Sequence, residues 1–94
     1  MKIQNWYDYT IDYALLAKYV RIWKVRHNLT NAEFDELIGY ENVVGQLLLE
    51  NRRYGTRDEK TGHINHMLMR TYFNICELIE MHPATFISTQ RRGE

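Results

Sequence analysis

Leu29-Thr30-Asn31-Ala32-Glu33-Phe34, followed by Ile38-Gly39, is the stretch on which the reading of this 94-residue chain turns. Thr30 and Glu33 have capping-box spacing, in which a hydroxyl and a carboxylate each take up a free backbone N–H at a helix start. Leu29 and Phe34 occupy the two positions of a hydrophobic staple, one just outside the helix and one a turn inside it. Gly39 is the residue best suited to a left-handed helix end. The spacing therefore predicts a short helix over 31–38 with both ends marked. A helix cut this sharply suits a tight helix–turn–helix, which makes nucleic acid the first partner to weigh.

Working outward, 94 residues make one domain with a single core. A hydrophobic share of 45% with 13% aromatics is enough to fill that core, and one proline with five glycines favours helices over many strands. Cys76 is the sole cysteine, so no intrachain disulfide can form, and a reducing compartment fits. No apolar run approaches a membrane span, and the residues after Met1 lack a signal-peptide core, so the expectation is a cytoplasmic protein off the membrane.

The formal net charge is zero, which weighs against a duplex binder, since phosphate neutralisation supplies most non-specific affinity. The charges are nevertheless sorted. Lys18, Arg21, Lys24 and Arg26 have no acid among them, Arg52, Arg53 and Arg57 form a second group, and Arg91 and Arg92 mark the end. Acids gather at Glu33, Asp35, Glu36 and Glu41, and again at Glu77 and Glu80. Such segregation permits a basic face.

Residues 1–9, with Trp6, Tyr7 and Tyr9 around Asp8, read as an aromatic arm that packs on the domain or on a second subunit. Thr10 is the expected N-cap of helix one, with Asp12 in its first turn and Tyr13, Leu16, Val20 and Trp23 as its buried stripe. Asn28 follows as a left-handed cap. A third helix is expected over 43–50, weakened by Gly45, then a polar loop over 51–62. Helix four is expected over 63–80 on a stripe of Ile64, Met67 or Leu68, Tyr72, Ile75, Leu78 and Ile79. Pro83 then opens a short fifth helix to Ile87, and 88–94 is a flexible polar tail.

The run from Val20 through Thr30, Val20-Arg21-Ile22-Trp23-Lys24-Val25-Arg26-His27-Asn28-Leu29-Thr30, resembles the end of helix one in the XRE (Cro/phage-repressor-like) family, with Asn28 in place of the usual glycine. Asn31 through Tyr40 is similar to that family's second helix, and Leu78 through Ile87 to the end of its fourth helix and its fifth. The resemblance covers roughly residues 11–87. It implies an all-α, five-helix, lambda-repressor-like DNA-binding domain over 10–87. Asp35 stands where the family carries a small residue and Gly45 where it carries a buried aliphatic. Those positions face each other, so a volume exchange between them is expected. Aligning Glu50 with the family glutamate that pairs with the helix-one arginine, here Arg21, needs one extra residue in the turn.

The resemblance puts helix three in the major groove. Asn42 and Gln46, four apart, would then share a face, and each amide can bond adenine through two hydrogen bonds. Arg52 and Arg53 fall where backbone phosphates are met, with Lys24 and Arg57 as further cations. The expected partner is double-stranded DNA bound by a homodimer, because one recognition helix reads too few base pairs. The other reading is a protein-interaction module working through the leucine-rich helix three. Catalytic signals are weak. His63 and His66 at i, i+3 lack further ligands, and Cys76 between Ile75 and Leu78 reads as a buried small hydrophobe, so neither an enzyme nor a metal or cofactor is expected.

Overall fold

In the computed structural model, which describes residues 5–48 and 52–93 and the side chains of 9–48 and 52–89, the capped segment is where the sequence places it. The chain runs β1 (Asn5–Ile11), α1 (Tyr13–Arg26), α2 (Asn31–Ile38), α3 (Val44–Leu47), α4 (Met69–Leu78), a 3-10 turn (Pro83–Thr85) and β2 (Ile87–Gly93). Four α-helices and a two-stranded antiparallel sheet replace the expected all-α, five-helix repressor-like fold. The polar end of the chain is a strand, and the expected fifth helix is one 3-10 turn.

α2 begins with the complete capping box. Glu33 N–H donates to Thr30 Oγ1 at 3.1 Å, and Thr30 N–H donates to Glu33 Oε1 at 2.9 Å. Those bonds hold the Glu33 carboxyl below its ordinary value. Gly39 closes the helix at φ +84, its N–H returning to the carbonyls of Asp35 and Glu36. Asn28 at φ +55 ends α1 in the left-handed conformation expected of it. The start of α1 differs. Asp12, not Thr10, is the N-cap, accepting from Leu15 N–H at 3.0 Å, because Thr10 is held in β1 opposite Ser88.

α3 is much shorter than expected. Leu48 is already extended, and the carbonyl of Gln46, which a continuing helix would offer to residue 50, accepts from Arg53 N–H at 2.7 Å. α4 starts six residues late for a similar reason. Residues 63–65 pair with 56–58 across a hairpin, with Asp58 N–H to His63 O at 2.7 Å and Asn65 N–H to Thr56 O at 2.8 Å. Met67 N–H is taken by the Tyr13 hydroxyl at 2.9 Å. Backbone committed to these partners cannot close a helical ladder. Met67, Tyr72, Ile75, Cys76 and Ile79 line the core, whereas Ile64 and Leu68 are exposed.

The core joins α1 through Leu16 and Val20, α2 through Phe34 and Ile38, α3 through Val44 and Leu47, and α4. Asp35 is buried among them, and its Oδ1 accepts from Val44 N–H at 3.0 Å. This is the N-terminal cap that α3 lacks from its own flank, where Val43 offers no side-chain acceptor. A Cβ built on Gly45 meets nothing within 4 Å, so no volume exchange with Asp35 takes place; the aspartate is there as an acceptor. Asn74 Nδ2 of α4 donates to the Ile38 carbonyl at 3.0 Å and satisfies the other end of α2.

Far from this core in sequence order, the two chain ends pair. β1 and β2 match Asn5 with Gly93 through Ile11 with Ile87, and Asp12 N–H to Phe86 O at 2.8 Å carries the pairing into α1. The base of the ribbon joins the body, with Ile11 buried in the core, Ile87 packed against it and β2 running into the 3-10 turn. The molecule is elongated, 51 Å along its longest axis with a radius of gyration of 15.0 Å, against about 12 Å for a compact chain of this length.

Two outcomes follow. Asp35→Ala strands a buried N–H and should cost about 1–3 kcal/mol in urea unfolding, with Asp35→Asn, which keeps an acceptor, costing less. The Glu33 carboxyl is depressed in the folded state, so its contribution is present above its ordinary value of 4.5 and is lost as pH falls below it. Glu33→Gln should flatten the acid-side decline of the melting temperature measured from neutral pH down through that range.

Candidate nucleic-acid interface

The loop expected over 51–62 is a built hairpin. Gly55 N–H bonds Asn65 O at 2.7 Å, Arg57 and Ile64 form a bridge, and Gly62 at φ +75 turns the chain. Asp58 organises the tip, its Oδ1 accepting the N–H groups of Lys60 at 2.8 Å and Thr61 at 3.3 Å. Arg57 reaches across the hairpin to donate from Nη1 to the Gly62 carbonyl.

Tyr13 at the head of α1 fixes this hairpin to the helical body. Its ring stacks on Tyr54 with centroids 5.7 Å apart, and its hydroxyl holds Met67 N–H. Gly55 lies flat on the same ring. A Cβ there would come within 3.0 Å of Tyr13 Cδ2, and φ is +85, so the position needs glycine twice over. Burial raises the hydroxyl pKa of Tyr13, the accepted Met67 N–H partly offsetting it. Burial raises Tyr54 too, helped by Tyr13 and the Asp35 carboxylate. Both hydroxyls therefore keep their protons at neutral pH.

Between α3 and the hairpin opens a groove of about 720 Å³. Gln46, Arg53 and Arg57, three of the six residues expected to touch DNA, line it together, with Lys60, Asn65, Tyr54 and His66 as additions. Asp58 and Glu59 also line it, although one Asp58 oxygen is turned into the loop backbone. At the rim, His66 meets Tyr9 of β1 with ring centroids 6.2 Å apart, so the base of the ribbon adjoins the groove.

The other three expected contacts lie elsewhere. Asn42 is in the turn before α3 at φ +58, beside Glu36 and Glu41, and shares no helical face with Gln46. Arg52 is half-buried in a separate hollow of about 240 Å³ with Asp12 and Tyr13. Lys24 bonds the Asn31 side-chain oxygen at the α1–α2 junction. Glu50, expected opposite Arg21, is outside the described residues. Lys60, Asn65 and His66 were hidden in the sequence because only the hairpin pairing brings them to Gln46.

His63 and His66 are not on a helix, and among the described residues no three His, Cys, Asp or Glu side chains gather as metal ligands. Burial pushes the Cys76 thiol up, so it is protonated at neutral pH. No described helix is long and apolar enough to cross a membrane.

No family model, no curated protein and no solved structure matches the chain.

Tyr13→Phe removes the acceptor for Met67 N–H while keeping the ring. Hydrogen exchange should speed up at Gly55, Asp58, Asn65 and Met67, with a stability loss of about 1–3 kcal/mol. Unchanged exchange there would mean the hairpin does not depend on that hydroxyl.

Proposed function

We propose that this chain binds duplex DNA chiefly through the phosphate backbone, with the helix–turn–helix as scaffold and the α3–hairpin groove as contact surface. The convergence of Gln46, Arg53, Arg57 and Lys60 on one open concave face carries the reading. Arg53 and Arg57 are exposed cations on a backbone pinned by cross-hairpin bonds, which limits the ordering cost of a phosphate contact.

Base reading has little support in α3. Val44 and Leu47 are buried, which leaves Gly45 and Gln46 as the remaining positions of a four-residue helix, and Asn42 is off it. Affinity should accordingly vary little with sequence and strongly with salt. A role as a transcriptional regulator is compatible with this if sequence selection comes from shape or from a second contact.

The second reading, a protein-interaction module, is favoured by one observation: Leu37 (57%), Leu68 (69%) and Phe73 (48%) are large exposed apolar side chains on or beside α2 and α4. It no longer runs through helix three, whose leucine Leu47 is in the core.

Fluorescence anisotropy with random-sequence duplexes over a salt series tests the DNA reading. Arg53→Ala and Arg57→Ala should each weaken binding uniformly across sequences and lower the slope of log affinity against log salt by about 1. No binding at about 50 mM salt, where phosphate contacts are stronger than at physiological salt, would sink it.

A further inference from the structure

Two neighbouring parts of this chain carry opposite charge without mixing. α1 holds Lys18, Arg21, Lys24 and Arg26 and no acid; residues 30–48 hold Glu33, Asp35, Glu36 and Glu41 and no Lys or Arg. The fold turns most of each set outward; Asp35 is buried, and Lys24 is half-buried on Asn31. α1 buries Tyr13, Leu16, Ala17 and Val20, so its outer side carries Lys18, Arg21 and Arg26 around exposed Ile22 (41%) and Val25 (76%). Arg21, Ile22, Val25 and Arg26 together line a shallow apolar hollow. α2 buries Phe34, Asp35 and Ile38, so its outer side carries Glu33, Glu36 and the exposed Leu37. Glu36 and Glu41 then border an open cavity of about 610 Å³ that reaches Tyr40.

We infer that the chain associates with itself head to tail, the basic outer side of α1 in one copy seating against the acidic cavity beside α2 in the next. Charge complementarity selects this occupant. Cations flanking aliphatic side chains on one surface match Glu36 and Glu41 beside Tyr40 on the other, and the same chain supplies both. Each helix turns its buried side to the shared core and leaves Lys18, Arg26, Glu36 and Glu41 exposed. The formal charge of zero leaves no long-range repulsion between copies. Because the contact joins unlike surfaces, it propagates into rings or chains of copies and is not limited to a two-fold dimer.

Two charge-reversed variants test the inference, neither touching Arg53 or Arg57: Lys18→Glu with Arg26→Glu, and Glu36→Lys with Glu41→Lys. All four positions are exposed, and the circular dichroism spectrum of each variant is to be compared with that of the wild type as the check on folding. If either variant loses its native spectrum, the neutral pairs Lys18→Gln with Arg26→Gln and Glu36→Gln with Glu41→Gln take its place, each expected to weaken association alone and, when mixed, to pair through the one intact surface of each. Sedimentation of the wild type at about 50 mM salt should show mass rising with concentration, with the association constant falling at least about tenfold by about 500 mM. Each reversed variant alone should stay monomeric, and an equimolar mixture should associate again, because the reversed surfaces now complement each other. A wild type that is monomeric at low salt overturns the inference and leaves the α1 surface to an acidic protein or to nucleic acid. Association that survives either reversal, or a mixture that stays monomeric, overturns it as well.

Discussion

A single buried carboxylate ties the helical half of this molecule together. Asp35 is a residue of α2, yet its oxygen serves the first N–H of α3. Burying a carboxylate without partners is costly, so the turn over 39–43 must bring a donor to it. Left-handed Gly39 and Asn42 let the backbone reverse within that span. With α3 seated, Val44 and Leu47 enter the core, and the Gln46 carbonyl is left facing Arg53. The position at which the hairpin departs is thus a consequence of where one aspartate finds its donor.

Tyr13 does the corresponding work from the other side. It belongs to α1, but its ring supports Tyr54 and Gly55, and its hydroxyl holds Met67. Both feet of the hairpin are therefore fixed to one side chain. The groove between α3 and the hairpin has walls set by these two long-range contacts. Tyr54 is the groove residue these contacts use, and Arg53 and Lys60 stay at the groove's surface.

The site was only half legible from the residues in order. Gln46, Arg53 and Arg57 lie within about a dozen residues of one another in and just after α3, and that proximity in the chain survived folding. Asn42 lies away from the groove because it adopts φ +58 in the turn before α3 and shares no helical face with Gln46. Arg52 and Lys24 lie away from it because a cation's direction depends on its neighbours, and theirs are Asp12, Tyr13 and Asn31. Lys60, Asn65 and His66 had no local signal. Their common feature is a place on a hairpin whose pairing partners are fixed by Tyr13.

By itself the sequence determined whatever local backbone chemistry can settle. The Thr30–Glu33 box, Gly39 and Asn28 bound α2 and end α1, since caps act over three or four residues and need no tertiary partner. The buried stripe of α1 was likewise readable from helical spacing. Tertiary structure alone decided the rest. The β1–β2 ribbon joins residues some eighty positions apart, and strand pairing at that separation leaves no mark in either strand. α3 stops at Leu47 and α4 waits until Met69 because distant donors and acceptors claim the backbone groups that longer helices would have used. Helix propensity is a weak preference of under about 1 kcal/mol per residue, and a buried hydrogen bond with its packing outweighs it.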